Sequence, residues 1–314
     1  METERLAPDP AGIARAAELL RAGQLVAFPT ETVYGLGGLA ANDEAVRAIF
    51  DAKGRPADRP VIVHLADVRM VSRWSDGVPA EAMVLAERFW PGPLTLVLPR
   101  SSSVSDIVTG DRNTVGLRVP SHPVAMELLA AVGDGVAAPS ANRYGHISPT
   151  TADHVLADLD GKIAAVVDGG PSNVGLESTI VEVLADRGEG LAWVSLLRHG
   201  GVALDAVEAA LDRIVVDATA ETGEDARAPG MVLSHYAPSA PLTITTSADA
   251  DSAPAGVIVV RPDAGESDRK FAAELYARLR KADREGPEAI WVVPPSSGEM
   301  LPAILDRLKR AAHR

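Results

Sequence analysis

The chain has 314 residues, of which 46% are apolar and 23% are charged, as in an ordinary globular protein large enough for two domains. It contains no cysteine, which excludes disulfides, thiolate nucleophiles and cysteine-ligated zinc sites. Its net charge of −13 argues against broad electrostatic binding to nucleic acid. No apolar run reaches the roughly 18 residues that a membrane span needs, so we expect a cytoplasmic protein without a membrane segment.

Strands and helices alternate along the first two thirds of the chain, which predicts a layered α/β domain. Apolar runs predict strands at residues 25–28, 61–64, 94–98, 114–119, 135–138, 164–167, 179–184 and 193–197. Helical spacing predicts helices at 10–22, from about 42 onward, and at 79–89, 122–132, 150–159 and 204–211. The polar stretch "SSSVSDIVTGD" is expected to be a flexible loop. The last three predicted strands, at 164–167, 179–184 and 193–197, lie close enough in sequence that antiparallel pairing also stays possible.

The composition changes after the first domain. Residues 206–240 include an acidic stretch without periodicity at 217–230, typical of a linker, which ends in "APGMVLSHYAP". Residues 241–314 predict strands at 242–246, 256–260 and 289–293, with two amphipathic helices, in a small Rossmann-like α/β domain. We therefore predict a first domain over 1–205, a linker over 206–240 and a C-terminal domain over 241–314.

Polar side chains at strand ends point to a binding site in the first domain. The strand ending at Phe28 is followed by "PTETVYGLGG", where hydroxyls and a carboxylate precede glycines that leave the backbone of this connection uncluttered. A basic turn with Lys53, Arg55 and Arg59 comes before the next strand, and His64 ends that strand. Cations fixed by Gly and Pro between buried elements favour binding of a small anion, although a solvated turn or a core histidine remains the ordinary alternative.

Two further positions fit the same interpretation. Arg118 lies in an otherwise apolar strand, and a buried guanidinium needs either a structural carboxylate or a bound anion as its partner. Ser140 and Asn142 follow a strand, where they either cap a turn or contact a ligand. The sequence has no "GxxxxGK[ST]", "GxSxG" or "HExxH" motif, which excludes a P-loop site and two common hydrolase classes.

Eight stretches occur in an order that is highly specific in combination. They are "FPTETVYGLG", "KGRPADRPVIVH", "FWPGPLTLVL", "VGLRVPSHP", "APSANRYGHISPT", "VGLESTIVEV", "LLRHGGV" and "PGMVLSHYAP". Together they resemble the YrdC-like family, in the long form of threonylcarbamoyl-AMP synthases that adds a C-terminal domain. The resemblance spans residues 10–205 and the linker. It implies an open, twisted α/β sheet with a concave, locally basic surface.

The resemblance implies a nucleotidyltransferase that converts L-threonine, bicarbonate or CO2, and ATP into L-threonylcarbamoyladenylate and pyrophosphate. The product would pass to a complex that modifies adenosine in tRNA. Mg²⁺ would enter with ATP and need few protein ligands. Such chemistry depends on positioning and charge neutralisation rather than on a protein nucleophile, which suits a chain without cysteine.

The resemblance also implies roles for particular residues, and it assigns the catalytic roles to Lys53 and Arg55. It places L-threonine against Thr32, His64, Arg118, Ala138 and Ser178. It places ATP against Lys53, Arg55, Arg59, Thr114, Ser140, Asn142, Ser148, Arg198 and Tyr236. We further expect the linker to fold back so that Tyr236 covers the nucleotide and excludes water.

Two other classes stay open at this point. The first is an RNA-binding module, although residues 1–205 carry 17 basic against 26 acidic side chains, a net charge of −9. That charge also argues against direct tRNA binding by the enzyme. The second is a related enzyme that forms a carbamoyladenylate without using threonine. Dependence of pyrophosphate release on the amino acid separates these alternatives.

Overall fold

A computed structural model describes residues 2–184, 193–220, Pro229 and 235–313. The first part is a sheet of parallel and antiparallel strands flanked by helices, and the second is a smaller α/β unit. This architecture confirms the predicted α/β fold class. The acidic stretch predicted as a linker falls mostly at 221–228 and 230, outside the described residues. No helix within the described ranges combines the length and the apolar character needed to cross a membrane.

The strands are numbered along the chain. They are β1 (Glu4–Leu6), β2 (Val26–Phe28), β3 (Gly35–Leu39), β4 (Ile62–His64), β5 (Leu94–Pro99), β6 (Thr114–Arg118), β7 (Val136–Ala137), β8 (Ala165–Val167), β9 (Thr179–Leu184), β10 (Trp193–Arg198), β11 (Val216–Asp217), β12 (Leu242–Ile244), β13 (Val257–Val260) and β14 (Ala289–Val292).

The helices are numbered in the same way. They are α1 (Pro10–Arg21), α2 (Asp43–Lys53), α3 (Val71–Trp74), α4 (Ala80–Phe89), α5 (Asp106–Thr109), α6 (Pro123–Val132), α7 (Ala152–Leu159), α8 (Leu204–Leu211), α9 (Ser247–Ala250), α10 (Asp268–Arg284) and α11 (Leu301–Ala312). A short 3₁₀ turn at Val68–Met70 precedes α3.

The large sheet brings distant strands side by side. Its order is β1-β8-β2-β3-β7-β4-β6-β5-β9-β10-β11. Strand β4 lies between β7 and β6, and His64 is in register with Arg118 of parallel β6. The antiparallel pairing of β9 with β10 confirms the alternative that the sequence left open. The topology therefore places two of the predicted threonine-binding side chains, His64 and Arg118, on neighbouring strands.

Local sequence explains the main helix boundaries. Helix α2 begins after Asn42, whose side chain accepts hydrogen bonds from the backbone N–H groups of Glu44 and Ala45. It ends at Gly54, which adopts a left-handed conformation with φ of 63°. The turn that carries Arg55 and Arg59 therefore directly follows the end of α2.

Three parts of the sequence interpretation were wrong in detail. The glycines after Tyr34 form strand β3, which pairs with β2, rather than an open connection. Glycine is needed there because the strands approach closely: a Cβ at Gly37 would lie 2.9 Å from the Phe28 ring and 3.0 Å from the Val26 carbonyl oxygen. The expected loop at 101–111 contains α5, since Val108 is buried against the core. Strand β11, which the sequence did not predict, pairs in parallel with β10 at the edge of the first sheet.

The small domain is built on a parallel sheet with the order β12-β14-β13. Phe271, Leu275 and Leu279 of α10 are buried in one apolar cluster, as their spacing predicts, and Leu308 of α11 joins them. Ile304 of α11 also belongs to this cluster, whereas Leu301 and Leu305, which the spacing marked together with Leu308, are only partly buried. The same cluster includes residues of the first domain, namely Val33, Ile147 and Leu176. The two domains therefore share a continuous core.

Candidate functional site

A cavity opens between the carboxyl ends of β4 and β6, the start of β9 and the end of the linker. Its lining combines cations, hydroxyls and small apolar groups, which suits a polar ligand with negative charge. The lining residues are Thr30, Thr32, Val33, Gly35, Arg55, Ile62, His64, Arg118, Ala138, Pro139, Ser140, Glu177, Ser178, Arg198, Pro229, His235 and Tyr236.

One end of the cavity is formed by Arg118, whose side chain is almost completely buried. Its Nε donates to the Gly92 carbonyl oxygen at 3.2 Å, and Nη1 donates to the Thr32 hydroxyl at 2.9 Å. Its Nη2 lies 2.7 Å from Oε1 of Glu31, an equally buried carboxylate that does not line the cavity. These contacts fix the guanidinium plane and leave one N–H on each terminal nitrogen for a ligand.

His64 stands beside Arg118 with a neutral ring. Burial and the nearby Arg118 charge lower the pKa of His64 to about 3. The Phe28 ring meets the imidazole edge-on, with the ring centres 6.2 Å apart, and Nδ1 of His64 is buried without a hydrogen-bond partner within the described part of the chain. A neutral histidine with one unused nitrogen can therefore contact a ligand held by Arg118.

The middle of the cavity is formed by the start of β9. The Ser178 hydroxyl lies 2.8 Å from the Thr95 hydroxyl and accepts a hydrogen bond of 3.1 Å from Nη2 of Arg198. Arg198 also donates through Nε to the Ser178 carbonyl oxygen and through Nη1 to the Pro229 carbonyl oxygen. Arg198 is buried, and its contacts tie β10 and the linker to the cavity wall.

Lys53 supports the same wall from behind. Its buried ammonium donates hydrogen bonds of 2.6 Å to the carbonyl oxygens of Ser140 and Asn142, and burial lowers its pKa well below the usual value. The Asn142 side-chain amide donates to the carbonyl oxygens of Arg143 and His146, whereas its Oδ1 is buried without a partner in the described residues. Lys53 therefore shapes the loop after β7 and keeps one ammonium N–H for another contact.

Arg55 lines the cavity at the end near the linker. Its Nη2 donates to the Pro60 carbonyl oxygen at 2.9 Å, and its guanidinium lies 5.8 Å from the centre of the Tyr144 ring. Burial lowers the pKa of Arg55 to about 10, so the group stays cationic at neutral pH. This part of the cavity consequently carries positive charge.

The end of the linker closes the other side of the cavity. His235 packs edge-on against both Tyr144 and Tyr236, and burial lowers the pKa of His235 to about 3. The backbone N–H of Ala237 donates to the Gly145 carbonyl oxygen at 2.9 Å. Tyr236 is buried and has a φ of 61°, a conformation that bulky residues rarely adopt. The linker therefore contributes side chains to the site.

Known proteins match the chain over nearly its full length. A family model described as "Telomere recombination" matches residues 18–200, and one described as "Threonylcarbamoyl-AMP synthase, C-terminal domain" matches residues 202–313. The threonylcarbamoyl-AMP synthase of Bacillus subtilis (strain 168) is 40% identical over 99% of this chain and 95% of its own length. The chain belongs to the threonylcarbamoyl-AMP synthase family.

Other members of the family agree in sequence and in fold. The threonylcarbamoyl-AMP synthase of Pyrococcus abyssi is 38% identical over 95% of this chain and 93% of its own length. A crystal structure of P. abyssi Sua5 complexed with L-threonine superposes with a TM-score of 0.90 at 36% identity, over 99% of this chain and 98% of that one. The two-domain architecture is thus that of the long members of the family.

The cavity brings together most of the residues that the sequence assigned to substrates. The lining includes Thr32, Arg55, His64, Arg118, Ala138, Ser140, Ser178, Arg198 and Tyr236. Lys53, Asn142 and Ser148 lie one layer behind, in contact with lining residues or their neighbours in the chain. Arg59 and Thr114 are half-buried and do not line the cavity. The substrate contacts of all these residues remain predictions.

Sequence reasoning missed two carboxylates. Glu31 was noted in its motif without a role, and Glu177 was passed over in favour of the adjacent Ser178. Both are buried, and each forms an ion pair with a buried arginine. An acidic residue next to a strongly apolar strand, as in "GLESTIVEV", was the available signal, because a buried carboxylate requires a partner.

Proposed function

We propose that the protein synthesises L-threonylcarbamoyladenylate from L-threonine, bicarbonate or CO2, and ATP, and releases pyrophosphate. The observation that carries the proposal is the oriented Arg118 guanidinium beside neutral His64, in a cavity whose other walls hold Arg55 and Arg198. One cation with free N–H groups suits the carboxylate of an amino acid, and the remaining cations suit phosphates. Membership of the threonylcarbamoyl-AMP synthase family supports this division.

In this proposal Arg118 binds the amino-acid carboxylate through its two free N–H groups. Thr32 is held by Arg118 and by a hydroxyl contact of 2.8 Å to Thr30, so its position is fixed before the ligand arrives. His64 and Ser178 are close enough to the same space to contact the amine and side-chain hydroxyl of L-threonine, with the Ala138 backbone closing the pocket. Such preorganisation reduces the entropy lost on binding.

The phosphate groups of ATP lie toward Lys53, Arg55 and Arg198 in this proposal. Arg55 and Arg198 line a water-poor wall and Lys53 lies one layer behind it, and charge stabilisation is stronger there than in solvent. Each is held by backbone carbonyl oxygens, which orient it without cancelling its charge. The catalytic roles of Lys53 and Arg55 are then to neutralise charge that develops on the α-phosphate and on the leaving pyrophosphate.

The reaction needs two bond-forming steps. The amine nitrogen of L-threonine attacks CO2 and loses one proton, which gives a carbamate. A carbamate oxygen then attacks the α-phosphorus of ATP in line, the bond from that phosphorus to the bridging oxygen breaks, and pyrophosphate leaves with the bonding electrons. The protein forms no covalent bond in either step, in keeping with a site that offers charge and position.

Mg²⁺ is part of the proposal as the ion that accompanies ATP. It would neutralise phosphate charge and help pyrophosphate to leave. Asn142 fits such an ion, because its Oδ1 is a buried oxygen without a partner in the described part of the chain, and Mg²⁺ prefers oxygen ligands. Phosphate oxygens and water would supply the other ligands. Within the described ranges, no group of three or more His, Asp or Glu side chains gathers around a metal position.

The proposal extends to the setting of the reaction. A mixed anhydride of this kind is labile in water, so the product must be consumed by a threonylcarbamoyl-transferring complex that acts on tRNA. We place this exchange in the cytoplasm. The net charge of −13 supports transfer of the adenylate rather than direct tRNA binding by this protein.

The deciding experiment measures pyrophosphate release from ATP by the purified full chain, with L-threonine and bicarbonate each present or absent. Release that requires both supports the proposal. Release that requires bicarbonate but not the amino acid indicates a carbamoyladenylate-forming enzyme of another kind. Intact ATP binding without release under any of these conditions overturns the proposed synthesis and leaves a binding module.

A further inference from the structure

Glu177 is a carboxylate on the wall of a cavity that otherwise presents cations. It is 6% exposed and lines the cavity next to Ser178 in the chain. Its Oε1 accepts a 2.6 Å hydrogen bond from the Ser148 hydroxyl. Its Oε2 accepts hydrogen bonds from the Tyr276 hydroxyl at 3.0 Å and from Nε of Arg307 at 2.7 Å. The carboxylate is therefore fully engaged, and one of its partners carries a compensating charge.

That compensating charge comes from the C-terminal domain. Arg307 lies on α11, Tyr276 lies on α10, and both are 1% exposed. Arg307 is the largest fully buried side chain in the described part of the molecule. Besides Glu177, its guanidinium donates through Nη2 to the His199 carbonyl oxygen at 2.9 Å and through Nη1 to the carboxylate of Asp306, on the same helix, at 2.5 Å. One side chain thus joins the small domain to two separate segments of the catalytic domain.

Arg307 also supports the part of the linker that closes the cavity. Its guanidinium lies 5.2 Å from the centre of the Tyr236 ring, and the Tyr276 ring stacks on Tyr236 with the centres 5.9 Å apart. A left-handed backbone at a tyrosine persists only when its surroundings hold it in place. Tyr236 has this backbone, with φ of 61°, and the two C-terminal side chains supply its support.

The packing of α10 keeps this arrangement close to the cavity. Gly175, two residues before Glu177, has φ of 74°, and a Cβ there would lie 2.3 Å from the Ala273 carbonyl oxygen of α10. Only glycine permits this approach of backbone to backbone. Leu176 belongs to the same buried cluster as Leu275 and Leu279. The segment that carries Glu177 therefore rests directly on the C-terminal domain.

The electrostatic consequence concerns phosphate binding. Although burial alone raises the pKa of Glu177, the charges of Arg307 and Arg198 outweigh it and lower the pKa to about 2. Glu177 is therefore ionised at neutral pH. Without Arg307, Glu177 would lose its hydrogen-bonded counter-charge and keep only the more indirect influence of Arg198, so a poorly compensated negative charge would face the space into which the phosphates must enter.

We propose that Arg307 of the C-terminal domain is a positioning residue of the active site, which neutralises Glu177 and holds Tyr236 in the cavity wall so that the phosphates of ATP can bind. This role rests on the proposed function, since it concerns the nucleotide half of that reaction. It also gives the C-terminal domain a purpose in the catalytic site. Arg307 acts through Glu177 and Tyr236 and makes no contact with the substrate itself.

The test compares three variants of the full chain, R307M, E177Q and the double variant R307M/E177Q, with R278M as the matched control. Arg278 lies on α10 and pairs with Glu266 and Glu274 rather than with Glu177. The KM for ATP and the KM for L-threonine are measured separately by pyrophosphate release, and ATP binding is measured by calorimetry without threonine.

R307M is expected to raise the KM and Kd for ATP by roughly a hundredfold, because one buried charge is left unpaired, while the KM for L-threonine changes less than threefold. The double variant is expected to recover most of the ATP affinity, to within about tenfold of the parent. R278M should leave both KM values unchanged.

Other results would overturn the role. If the double variant binds ATP as weakly as R307M, the arginine serves packing and does not offset the charge of Glu177. Equal losses for ATP and L-threonine would lead to the same conclusion. Should R307M fail to fold, E177Q decides, because it removes the carboxylate facing the phosphates and is expected to tighten ATP binding several-fold. Weaker ATP binding by E177Q contradicts the proposal. ATP affinities are measured without threonine, so they stand even if the parent forms no threonylcarbamoyladenylate.

Discussion

The cavity is bordered by two buried arginine–carboxylate pairs that face it in opposite orientations. In the Glu31–Arg118 pair, the arginine lines the cavity and the carboxylate lies behind it. In the Glu177–Arg307 pair, the carboxylate lines the cavity and the arginine lies behind it. The first pair is contained within one domain, whereas the second joins two domains.

The difference teaches how one type of interaction can serve two purposes. Burial of either charge alone would be costly, so each pair first satisfies its own members. The member that faces the cavity then decides what the ligand meets. Arg118 keeps free N–H groups and can recruit an anion, whereas both oxygens of Glu177 are already occupied. The Glu31–Arg118 pair can therefore bind an anionic ligand, whereas the Glu177–Arg307 pair presents a carboxylate whose charge is already compensated.

The largest expected effect comes from breaking the first pair on the arginine side. Replacement of Arg118 by Met removes the proposed carboxylate partner and leaves Glu31 buried and unpaired. We expect kcat/KM for L-threonine to fall by about a thousandfold, from two lost charge-assisted hydrogen bonds of about 2 kcal/mol each. Pyrophosphate release at varied L-threonine measures this loss.

Two further substitutions make that result specific. Arg118→Lys keeps the charge but loses the paired geometry, so it should recover only part of the activity. Arg69→Met changes an exposed arginine paired with Asp67 and should leave the rate unchanged. An Arg118→Met enzyme with normal kcat/KM would contradict the assignment of the amino-acid carboxylate to this residue.

The next effect concerns the hidden member of the first pair. Glu31→Gln leaves Arg118 without its counter-charge and should lower the free energy of unfolding by about 3 kcal/mol. Because the carboxylate of L-threonine would then supply the missing negative charge, the ligand should stabilise the variant more than it stabilises the parent. Thermal denaturation with and without L-threonine measures both quantities. Equal stabilisation of the two proteins would show that L-threonine does not compensate for Glu31.

A third prediction uses the two neutral histidines, one beside each pair. His64 adjoins Arg118 and His235 adjoins Tyr236, and burial lowers the pKa of each to about 3. Between pH 6.5 and 3 the unfolded chain binds protons that the folded chain does not, so stability falls as the pH falls through this window. At pH 5 each histidine should account for about 2 kcal/mol of the loss relative to pH 7.

Denaturant unfolding at pH 7 and pH 5 tests this dependence. His64→Gln and His235→Gln should each lose less stability than the parent between these pH values, because each lacks one of the titrating groups. A similar reduction of the stability loss in both variants would show that the two histidines are equally shielded from water. No relief in one variant would mean that its histidine is protonated in the folded protein as well.

The smallest effect is expected from a pair that solvent screens. Arg5 joins Asp168 and Asp153 at the edge strand β1, and its side chain is 49% exposed. Exposed pairs of this kind contribute little, since water and salt weaken them. Arg5→Met should therefore keep the thermal midpoint within the scatter of repeated melts. A clear loss would show that Arg5 secures the pairing of β1 with β8, which goes beyond a surface ion pair.

Much of this arrangement could be predicted from the sequence, and the limit has a physical cause. Period and turn signals located most elements. The family resemblance assigned Thr32, His64, Arg118 and Ser178 to one binding site, and the cavity holds all four. The same signals misjudged the glycine-rich strand β3, because its fit depends on Phe28 and Val26 of the adjacent strand. Local sequence patterns do not show which residues of an adjacent strand a given residue will contact.

The partners of buried charges were beyond prediction for the same reason. Glu177 and Arg307 are 130 residues apart in the chain and meet only when two domains pack together. A single sequence shows that a carboxylate stands beside an apolar strand, but it does not show which of many arginines will reach it. Domain packing, and not local propensity, determines this part of the site.

The shared core also has a consequence for synthesis of the chain on the ribosome. Val33, Ile147 and Leu176 are less than 8% exposed in the finished molecule because helices of the C-terminal domain cover them. Those helices end at residue 312, so the catalytic domain waits on the order of ten seconds for its cover at ordinary rates of translation. During that interval the nascent chain exposes an apolar surface beside an active site that still lacks its C-terminal residues. Chaperone binding would protect the chain most at this stage.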